Sequence, residues 1–296
     1  MFEKAYEAAK RYTRPAILIS RIERGDIATG VGTFIVLNSD GWILTMAHIL
    51  EPFIRWQRDR AALNEYARLK QEIENDASLS PGKRKHRISQ LTYDSNWISH
   101  IDIILARGPN AQLNVLIDGM ADLALLKLPD ISSLNITGFP VFGDPKKPIF
   151  PGTSLCRMGF PFHNIEGVTF NASTGHFNLP PIPPLAFFPN EGIYTREQLV
   201  INAPSGRQIH NLETSSPGLR GQSGGPIFDT HGRIWALQSK TLSLPLGISC
   251  KVKEGGKEIT EHQFMHVGVG PHVSHIREFL DQNNVKYQAA ENLTSQ

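Results

Sequence analysis

The sequence predicts a mainly β protein that carries a helical insertion and a C-terminal helix. Short apolar runs extend from residue 15 to about residue 269, and Gly, Pro or Asn interrupts them at intervals of about 8–15 residues. This spacing is typical of antiparallel barrels and sandwiches. A polar block at residues 52–90 breaks the pattern, and its apolar residues recur at helical spacings. The segment HVSHIREFLDQNN, residues 272–284, shows the helical spacing again.

The composition excludes several classes of protein. The chain has 296 residues, of which 40% are hydrophobic, and a formal net charge of +2. A charge this small gives no broad basic face, so we expect no nucleic-acid partner. No apolar run approaches the roughly 18 residues of a spanning helix, so we expect no membrane segment. The length fits either two domains or one large β unit.

The cysteines and the N-terminal residues favour a reducing compartment. Cys156 and Cys250 are the only cysteines and lie far apart, whereas secreted proteins often carry a dense disulfide set. The first ten residues, MFEKAYEAAK, lack the continuous apolar stretch of a secretory signal. We therefore expect a cytoplasmic protein with two reduced core thiols.

The N-terminal segment predicts a helix followed by a β hairpin. The helix is expected from Glu3 to about Tyr12, and two strand-rich runs follow it, PAILISRI and VGTFIVLNSDGWILTMAHIL. In the second run Asp40-Gly41 lies between two β-rich segments, which is a strong hairpin signal.

The block at residues 52–90 predicts a helical insertion in the β-rich chain. The run FIRWQRDRAALNEYARLKQEIEND is free of Gly and Pro. Its apolar residues at helical spacings are Ile54, Leu63, Tyr66, Leu69 and Ile73. We expect this helix to end near Ser80-Pro81-Gly82, and the basic run after it to open a shorter return segment.

Strands resume at Tyr93 and continue to about Val269. Two interruptions are predicted to be surface loops. The first is the proline-rich segment 179–192, since proline has no N–H for a central strand. The second is the hairpin tip around Lys251–Glu258. The terminal helix has one apolar face, formed by Val273, Ile276, Phe279 and Leu280.

The strongest local signal is the GxSGGP segment from Gly221 to Pro226. A nucleophilic serine needs an exposed hydroxyl, a base and donors for the developing oxyanion. Flanking glycines permit the φ values that turn the amides of Gly221 and Ser223 into one anion pocket. A tight structural loop is the alternative explanation of these residues.

The base and the orienting acid have candidates at two other strand ends. His48 follows the apolar run ILTMA, although a histidine in this position is often structural, and the chain has 11 histidines. Asp122 opens the run LALLKL, where a buried carboxylate requires a donor such as an imidazole N–H.

Three segments, TMAH, DLALLKL and GQSGGP, in the order His, Asp, Ser, resemble the signatures of the trypsin/chymotrypsin-like serine peptidases. PGTSLCRMGFP and HVGVGPHVSHIREFL are similar to segments of the bacterial HtrA/Deg-type members, here without a PDZ segment. The resemblance implies a chymotrypsin-like fold of two six-stranded antiparallel β-barrels. It makes His48 the general base, Asp122 its orienter and Ser223 the nucleophile, with the amides of Gly221 and Ser223 as oxyanion hole.

This resemblance divides the chain into four parts. An N-terminal helix and lead-in strand occupy residues 1–27, and the first barrel occupies 28–135 with the insertion at 52–90. The second barrel occupies 136–270, and the C-terminal helix and tail occupy 271–296.

Two positions depart from the secreted members of the family. Ile49 stands where many of them have a disulfide cysteine, in agreement with a reducing location. Gln222 stands where trypsin-type zymogens have an aspartate that pairs with a newly cut N-terminal amine. Activation by N-terminal cleavage is therefore not expected, and the site must be ordered in another way.

The resemblance also indicates a primary substrate pocket. The loop before the serine, the strand after it and a third wall line this pocket: Pro217, Arg220, Ser239, Lys240, Thr241, Gly268 and Gly270. Because Pro217 occupies the floor position in place of a carboxylate, preference for Lys or Arg is disfavoured. Arg220 and Lys240 at the rim could tolerate an acidic side chain.

Other functions remain as alternatives. The main one is a catalytically silent peptidase fold that serves as a binding module. A serine esterase is disfavoured, because esterases use the order Ser, Asp, His. The histidines show no metal-ligand spacing, so we expect neither a metal nor a cofactor. We expect a protein substrate, and the insertion at 52–90 is either a solvated hairpin or a docking element for a regulatory protein or a second copy.

Overall fold

Two large sheets, antiparallel except for two short parallel pairings in the second sheet, carry most of the chain in the computed structural model, which describes residues 1–105, 114–201, 205–255 and 257–293. Helix α1 (Glu3–Lys10) precedes the first sheet. The strands of that sheet are β1 (Thr13–Ile22), β2 (Ile27–Val36), β3 (Trp42–Met46), β4 (Ile98–Ile104), β5 (Val115–Asp118) and β6 (Leu123–Lys127). Their spatial order is β4-β1-β2-β3-β6-β5.

The predicted hairpin joins β2 to β3. Gly41 in its turn has φ +85°, and a Cβ at this position would collide with the carbonyl oxygen of Leu128. Glycine is therefore required here on both conformational and steric grounds. Along β3, Ile43 and Leu44 enter two different core clusters, as expected from the two-residue period of a strand.

The second sheet contains nine strands among the described residues. They are β7 (Val141–Phe142), β8 (Ser154–Gly159), β11 (Phe188–Ile201), β12 (Gln208–Thr214), β13 (Pro226–Phe228), β14 (Arg233–Leu237), β15 (Lys240–Glu254), β16 (Lys257–Pro271) and β17 (Gln288–Ala289). A separate two-stranded sheet pairs β9 (Thr169–Asn171) with β10 (His176–Asn178).

Six of the nine strands form a ring. They follow one another in the order β16-β12-β11-β8-β13-β14, and a bridge between Ala236 and His272 connects β14 back to the end of β16. The predicted mainly β, double-barrel fold is thus confirmed, with β7, β15 and β17 added outside the ring.

The helical insertion consists of two helices. A 3₁₀ helix (Ala47–Leu50) leads directly into α2 (Glu51–Asn75), and α3 (Pro81–Ser89) follows. The first helix ends five residues before the expected position, because Ser80 and Pro81 start a helix rather than end one. The Ser80 hydroxyl caps α3 at Lys83 N, and proline suits the first helical position.

Polar contacts dock α2 onto the edge of the first sheet. Asp59 is 1% exposed and accepts a hydrogen bond from Ile98 N at 3.0 Å, and it pairs with Arg55 and Arg58. Trp56 Nε1 donates to Ser99 O at 3.2 Å. Of the expected apolar positions, Ile54 is exposed and the other four are half-buried. The insertion is therefore held by polar contacts at its base, and further along α2 the Tyr66 ring lies 4.9 Å from the Tyr93 ring.

Two details of the second half differ from expectation. The segment 179–192 was predicted to be a loop, yet β11 begins at Phe188 and pairs with both β8 and β12. Pro189 lies opposite Met158 in this strand, so one missing N–H is tolerated in a ladder of 14 residues. Cys250 is exposed rather than in the core, whereas Cys156 is buried; both are free thiols. Within the predicted hairpin tip, Gly256 lies outside the described residues.

The largest core cluster extends across both sheets. It joins Leu44 and Leu125 of the first sheet to Met158 and Trp235 of the second, together with α1 and α4 (Val273–Gln282). All four expected apolar residues of α4 are buried. A short helix α5 (Ala290–Leu293) follows β17. None of the helices in the described ranges has both the length and the apolar character needed to cross a bilayer.

Candidate active site

His48 and Asp122 meet where β3 and β6 lie side by side. The imidazole Nδ1 is 2.7 Å from Asp122 Oδ2, and His48 N donates to Asp122 Oδ1 at 2.9 Å. Ala47 N donates to the Asp122 carbonyl oxygen, also at 2.9 Å. Asp122 has φ +56°, a left-handed conformation that aspartate tolerates better than most residues. The carboxylate thus fixes the position and tilt of the 3₁₀ helix that carries His48.

The carboxyl group of Asp122 is held in its charged form. Burial by itself would raise its pKa, but hydrogen bonds from His48 and from the Ser239 hydroxyl outweigh burial and lower the pKa below its ordinary value. Ser239 Oγ donates to Asp122 Oδ2 at 2.7 Å. An ionised Asp122 keeps the imidazole proton on Nδ1, which leaves Nε2 able to accept a proton.

Ser223 is joined to this pair through Ser239. Its hydroxyl donates to the Ser239 carbonyl oxygen at 3.1 Å, while the Ser239 side chain binds Asp122. Ser223 and His48 also line one cavity of about 330 Å³, together with Gly221 and Arg220. The structure therefore brings the three sequence-predicted residues to one place, with the serine hydroxyl turned to a carbonyl oxygen.

A residue of the first sheet hydrogen-bonds to the loop around Ser223 and fixes its position. Thr33 N donates to Ser223 O at 2.8 Å, and Thr33 Oγ1 donates to Gly221 O at 2.7 Å. Gly221 and Gly224 have φ values of +100° and +83°. Among the described residues, no acceptor binds the N–H of Gly221 or of Ser223. Both amides are thus free to donate to the oxygen of a substrate carbonyl.

Gln222 is fully buried, and its side-chain amide stabilises the loop through two hydrogen bonds to the backbone. Its Oε1 accepts a hydrogen bond from Leu219 N at 2.9 Å, and its Nε2 donates to Phe188 O at 3.1 Å. A neutral amide therefore provides the internal support for this loop, without the aspartate and the N-terminal amine of a zymogen.

The match of the sequence to a protein family agrees with this geometry. The family model for the trypsin-like peptidase domain matches residues 32–237, which is more than half of the chain and includes all three residues. The chain belongs to the trypsin-like peptidase family. No curated protein matches its sequence significantly.

Solved structures similar in fold to this chain include HtrA-type proteases. A variant of the HtrA-type protease AlgW with a decapeptide has TM-score 0.50 and 10% identity over 96% of this chain and 68% of that chain, a likeness of fold alone. The active form of Rv3671c protease from M. tuberculosis has TM-score 0.49 and 12% identity over 96% and 86%. The chain spans 64% of an AlgW variant with a tripeptide.

The residues predicted to line a primary pocket lie on three segments that hydrogen bonds join directly to one another. Thr241 Oγ1 donates to Gly218 O at 2.6 Å, which joins the strand after the serine to the loop before it. Gly268 N donates to Ser216 O at 2.8 Å and joins the third wall to the same loop. Pro217 O accepts from Asn190, and Gly270 is buried beside Leu237. Lys240 and Arg220 are exposed, and Arg220 is the one of these predicted residues that lines the cavity shared by Ser223 and His48.

Sequence reasoning missed two residues of this region. Arg157 of β8 donates to Ser216 O in the loop before Ser223, and the signal was a charged residue inside the buried run Leu155–Met158. Ser239 was expected only as a pocket residue, yet its side chain binds Asp122. Within the described ranges, no cluster of His, Cys, Asp or Glu is arranged to hold a metal ion.

Proposed function

We propose that this protein is a serine endopeptidase that hydrolyses peptide bonds through a Ser-His-Asp triad and an acyl-enzyme. The hydrogen-bonded series from His48 through Asp122 and Ser239 to Ser223 carries the proposal. Two free amides beside the serine add the donors that acyl transfer needs.

In this proposal each residue has one role. Ser223 Oγ attacks the scissile carbonyl carbon while His48 Nε2 takes the hydroxyl proton, and the Gly221 and Ser223 amides bind the oxyanion. The C–N bond then breaks as His48 gives its proton to the leaving amine. Water then loses a proton to His48 Nε2 and attacks the acyl carbon of the Ser223 ester. The acyl C–Oγ bond breaks, the acid product leaves, and His48 returns the proton to Ser223 Oγ. Asp122 stays ionised and stabilises the imidazolium.

A rotation of the Ser223 side chain precedes the first step. Its hydroxyl donates to Ser239 O and must turn toward His48 before it can lose its proton. We therefore propose that the resting protein has low activity and that a partner or ligand favours the competent arrangement.

The helical insertion is the element that we propose for this control. The 3₁₀ helix that carries His48 leads without a break into α2, in which Asp59 is the one buried residue. A displacement of about 1 Å at a catalytic group can cost 10²-fold in rate. We propose that a regulatory protein or a second copy binds the insertion, and that this occurs in the cytoplasm, where the free thiols would be stable.

A fluorophosphonate probe and an active-site variant test the proposal. The probe should label wild-type protein at Ser223, and Ser223→Ala or His48→Ala should lower kcat by several orders of magnitude, given the ~10⁶-fold loss typical of triad residues. Both variants should melt within a few degrees of wild type. Labelling at a different serine, or full activity of Ser223→Ala, would show that the assignment is wrong.

A catalytically silent binding module is the second candidate. The hydrogen bond from Ser223 Oγ to Ser239 O favours it, because this bond occupies the hydroxyl in the resting state. A protein that binds peptides but resists the probe under every condition would support this candidate over the enzyme.

A further inference from the structure

A second cavity adjoins the one that holds Ser223 and His48. Its volume is about 460 Å³. Five residues line both cavities: Thr29, Gly30, Val31, Arg220 and Gly221. A Cβ built on Gly30 would meet no atom within 4 Å, so the space beside this shared wall is open. The two cavities together form a groove that begins at the candidate nucleophile.

This groove lies on the leaving-group side of the candidate active site. In the proposed mechanism His48 gives a proton to the leaving amine, so the chain after the scissile bond must pass beside His48. His48 and Pro52 line the first cavity, together with residues of β1 and β2. Of the residues predicted to hold the side chain before the scissile bond, Arg220 alone lines either cavity. The groove therefore has room for the substrate segment that follows the bond.

Phe162 lines the second cavity and is unusual in its backbone and its exposure. Its φ is +63°, and the residue is 76% exposed. The other non-glycine residues with positive φ in the described ranges are Asp122, Asn135 and Asn284. Asp and Asn tolerate the left-handed conformation, whereas a bulky side chain is strained in it. Because the exposed ring gains little from burial, folding stability does not explain a phenylalanine at this position.

The loop that carries Phe162 is fixed before and after this residue. Phe160 N donates to Gly221 O at 3.2 Å, which joins the loop to the segment around Ser223. Thr29 Oγ1 donates to Ile165 O at 3.1 Å, which joins the loop to β2. The ring is thus positioned before a ligand arrives, and binding to it costs little conformational entropy.

Strained residues cluster at ligand-binding sites, where the strain serves function. We propose that Phe162 selects substrates with an aromatic or other large apolar side chain at the second residue after the scissile bond. The inference rests on the proposed peptidase function and names its substrate class. The first cavity contains the reacting groups and takes the first residue after the bond. An extended chain advances about 3.3 Å per residue, so the next residue enters the second cavity.

The lining of the second cavity suits an apolar side chain. Val31, Ile165 and Leu219 line it together with Phe162. A substrate side chain placed among them is removed from water, and an aromatic ring also gains an edge-to-face contact. Phe162 already stands edge-on to the Phe188 ring, with 5.3 Å between the centroids, and this contact leaves most of Phe162 exposed.

Arg220 is the competing determinant, because it is exposed and lines both cavities. It would favour an acidic residue after the scissile bond. Solvent screens an exposed cation, however, so its contribution to selectivity is small. The apolar contact and the charge therefore predict different preferred substrates, and one assay separates them.

Acyl transfer tests the proposal on the wild-type protein, because it varies the leaving side alone. A small activated ester acylates Ser223, and an added dipeptide amide then competes with water for the acyl group. The amine attacks the acyl carbon and loses a proton to His48, the C–Oγ bond breaks as the new amide forms, and His48 returns the proton to Oγ. The ratio of amide product to acid product, at equal dipeptide concentration, measures binding on the leaving side.

We expect Ala-Phe-amide to capture the acyl group roughly 10-fold better than Ala-Ala-amide, which corresponds to about 1.4 kcal/mol. Phe-Ala-amide and Ala-Glu-amide should resemble Ala-Ala-amide. A preference for Ala-Glu-amide would assign the selectivity to Arg220, and one for Phe-Ala-amide would assign it to the first residue; either result overturns the proposal. Equal capture of all four overturns the specificity alone. Failure of the ester and of a fluorophosphonate probe to modify Ser223 overturns the peptidase function.

Variants then assign the preference to Phe162. Phe162→Gly removes the ring and relieves the strain, since glycine adopts a positive φ freely. It should melt within a few degrees of wild type, and its ratio of Ala-Phe-amide to Ala-Ala-amide capture should fall to about one. Phe150→Gly is the matched control, because Phe150 is 72% exposed and lines neither cavity; its ratio should stay at the wild-type value.

Each ratio is taken within one variant, so a general loss of rate cancels. If Phe162→Gly does not fold, Phe162→Asn takes its place, because asparagine also tolerates this backbone conformation. A wild-type ratio in whichever of these two variants folds overturns the role of Phe162.

Discussion

Ser239 connects Ser223 to Asp122 in the candidate active site. It follows β14 and precedes β15, and it contacts Ser223 through its carbonyl oxygen and Asp122 through its hydroxyl. The two contacts use different atoms, so a side-chain substitution separates them. Removing the hydroxyl leaves the contact to Ser223 intact and deprives Asp122 of one donor.

Ser239→Ala should lower kcat roughly 10-fold with little change in KM, because a hydrogen bond to a charged group contributes roughly 1.5–3 kcal/mol. Steady-state kinetics on a peptide substrate checks this prediction, with Ser243→Ala as control, since Ser243 is an exposed serine on β15, the strand that Ser239 precedes. An unchanged kcat would mean that Asp122 is oriented without Ser239.

At the scale of elements, the two-barrel fold does not by itself account for helices α2 and α3. Asp59 and Trp56 bind the first turns of α2 to β4, and Asp59 is the one buried residue of α2 and α3. The residues after these turns can therefore be replaced while this base is kept.

Two replacements of the insertion test its control of the site. A short Gly/Ser linker replaces residues 62–88 in one variant, which keeps Asp59 and Trp56, and residues 54–88 in the other. Both should lose the change in activity that cell lysate causes in wild type, and only the longer replacement should lower the melting temperature. If both variants and wild type have equal activity with and without lysate, the insertion does not control the site.

Elements with local signals were predictable from the sequence, and those built by distant contacts were not. The Asp40-Gly41 hairpin and the apolar face of α4 have short-range patterns, and both occur as expected. β11 was missed because its pairing with β8 and β12 overrides the local effect of Pro189. The surroundings of Arg157 could not be predicted, since they combine β8, β12 and the loop before Ser223.

At the scale of the whole molecule, His272 connects several parts of the structure. It closes the ring of the second barrel through its bridge to Ala236, and its Nδ1 accepts from Ser274 N at the start of α4. Burial lowers the pKa of His272 to about 4, and burial also lowers the pKa of His275. The folded protein therefore keeps these imidazoles neutral at pH values where the unfolded chain protonates them.

The free energy of unfolding should consequently fall as the pH drops from about 6.5, the ordinary pKa of histidine, to about 4. A pKa below the unfolded value means that the stabilisation is complete above pH 6.5 and is lost on acidification. Each such group contributes at most about 1.4 kcal/mol per pH unit. Urea denaturation at several pH values measures the slope. His272→Asn, which can still cap α4, should flatten it, whereas His86→Asn on the exposed α3 should not; equal slopes in all three proteins contradict the prediction.

The contacts of Thr33 limit how such a protein can change during evolution. It belongs to the first sheet, yet its amide and hydroxyl hold both sides of the Ser223 loop, and Thr45 Oγ1 in turn binds its carbonyl oxygen. A gene fusion that exchanged one barrel for that of a distant relative would lose these contacts unless both partners matched at this position. We therefore expect the two halves to vary together at Thr33 and at the Ser223 loop.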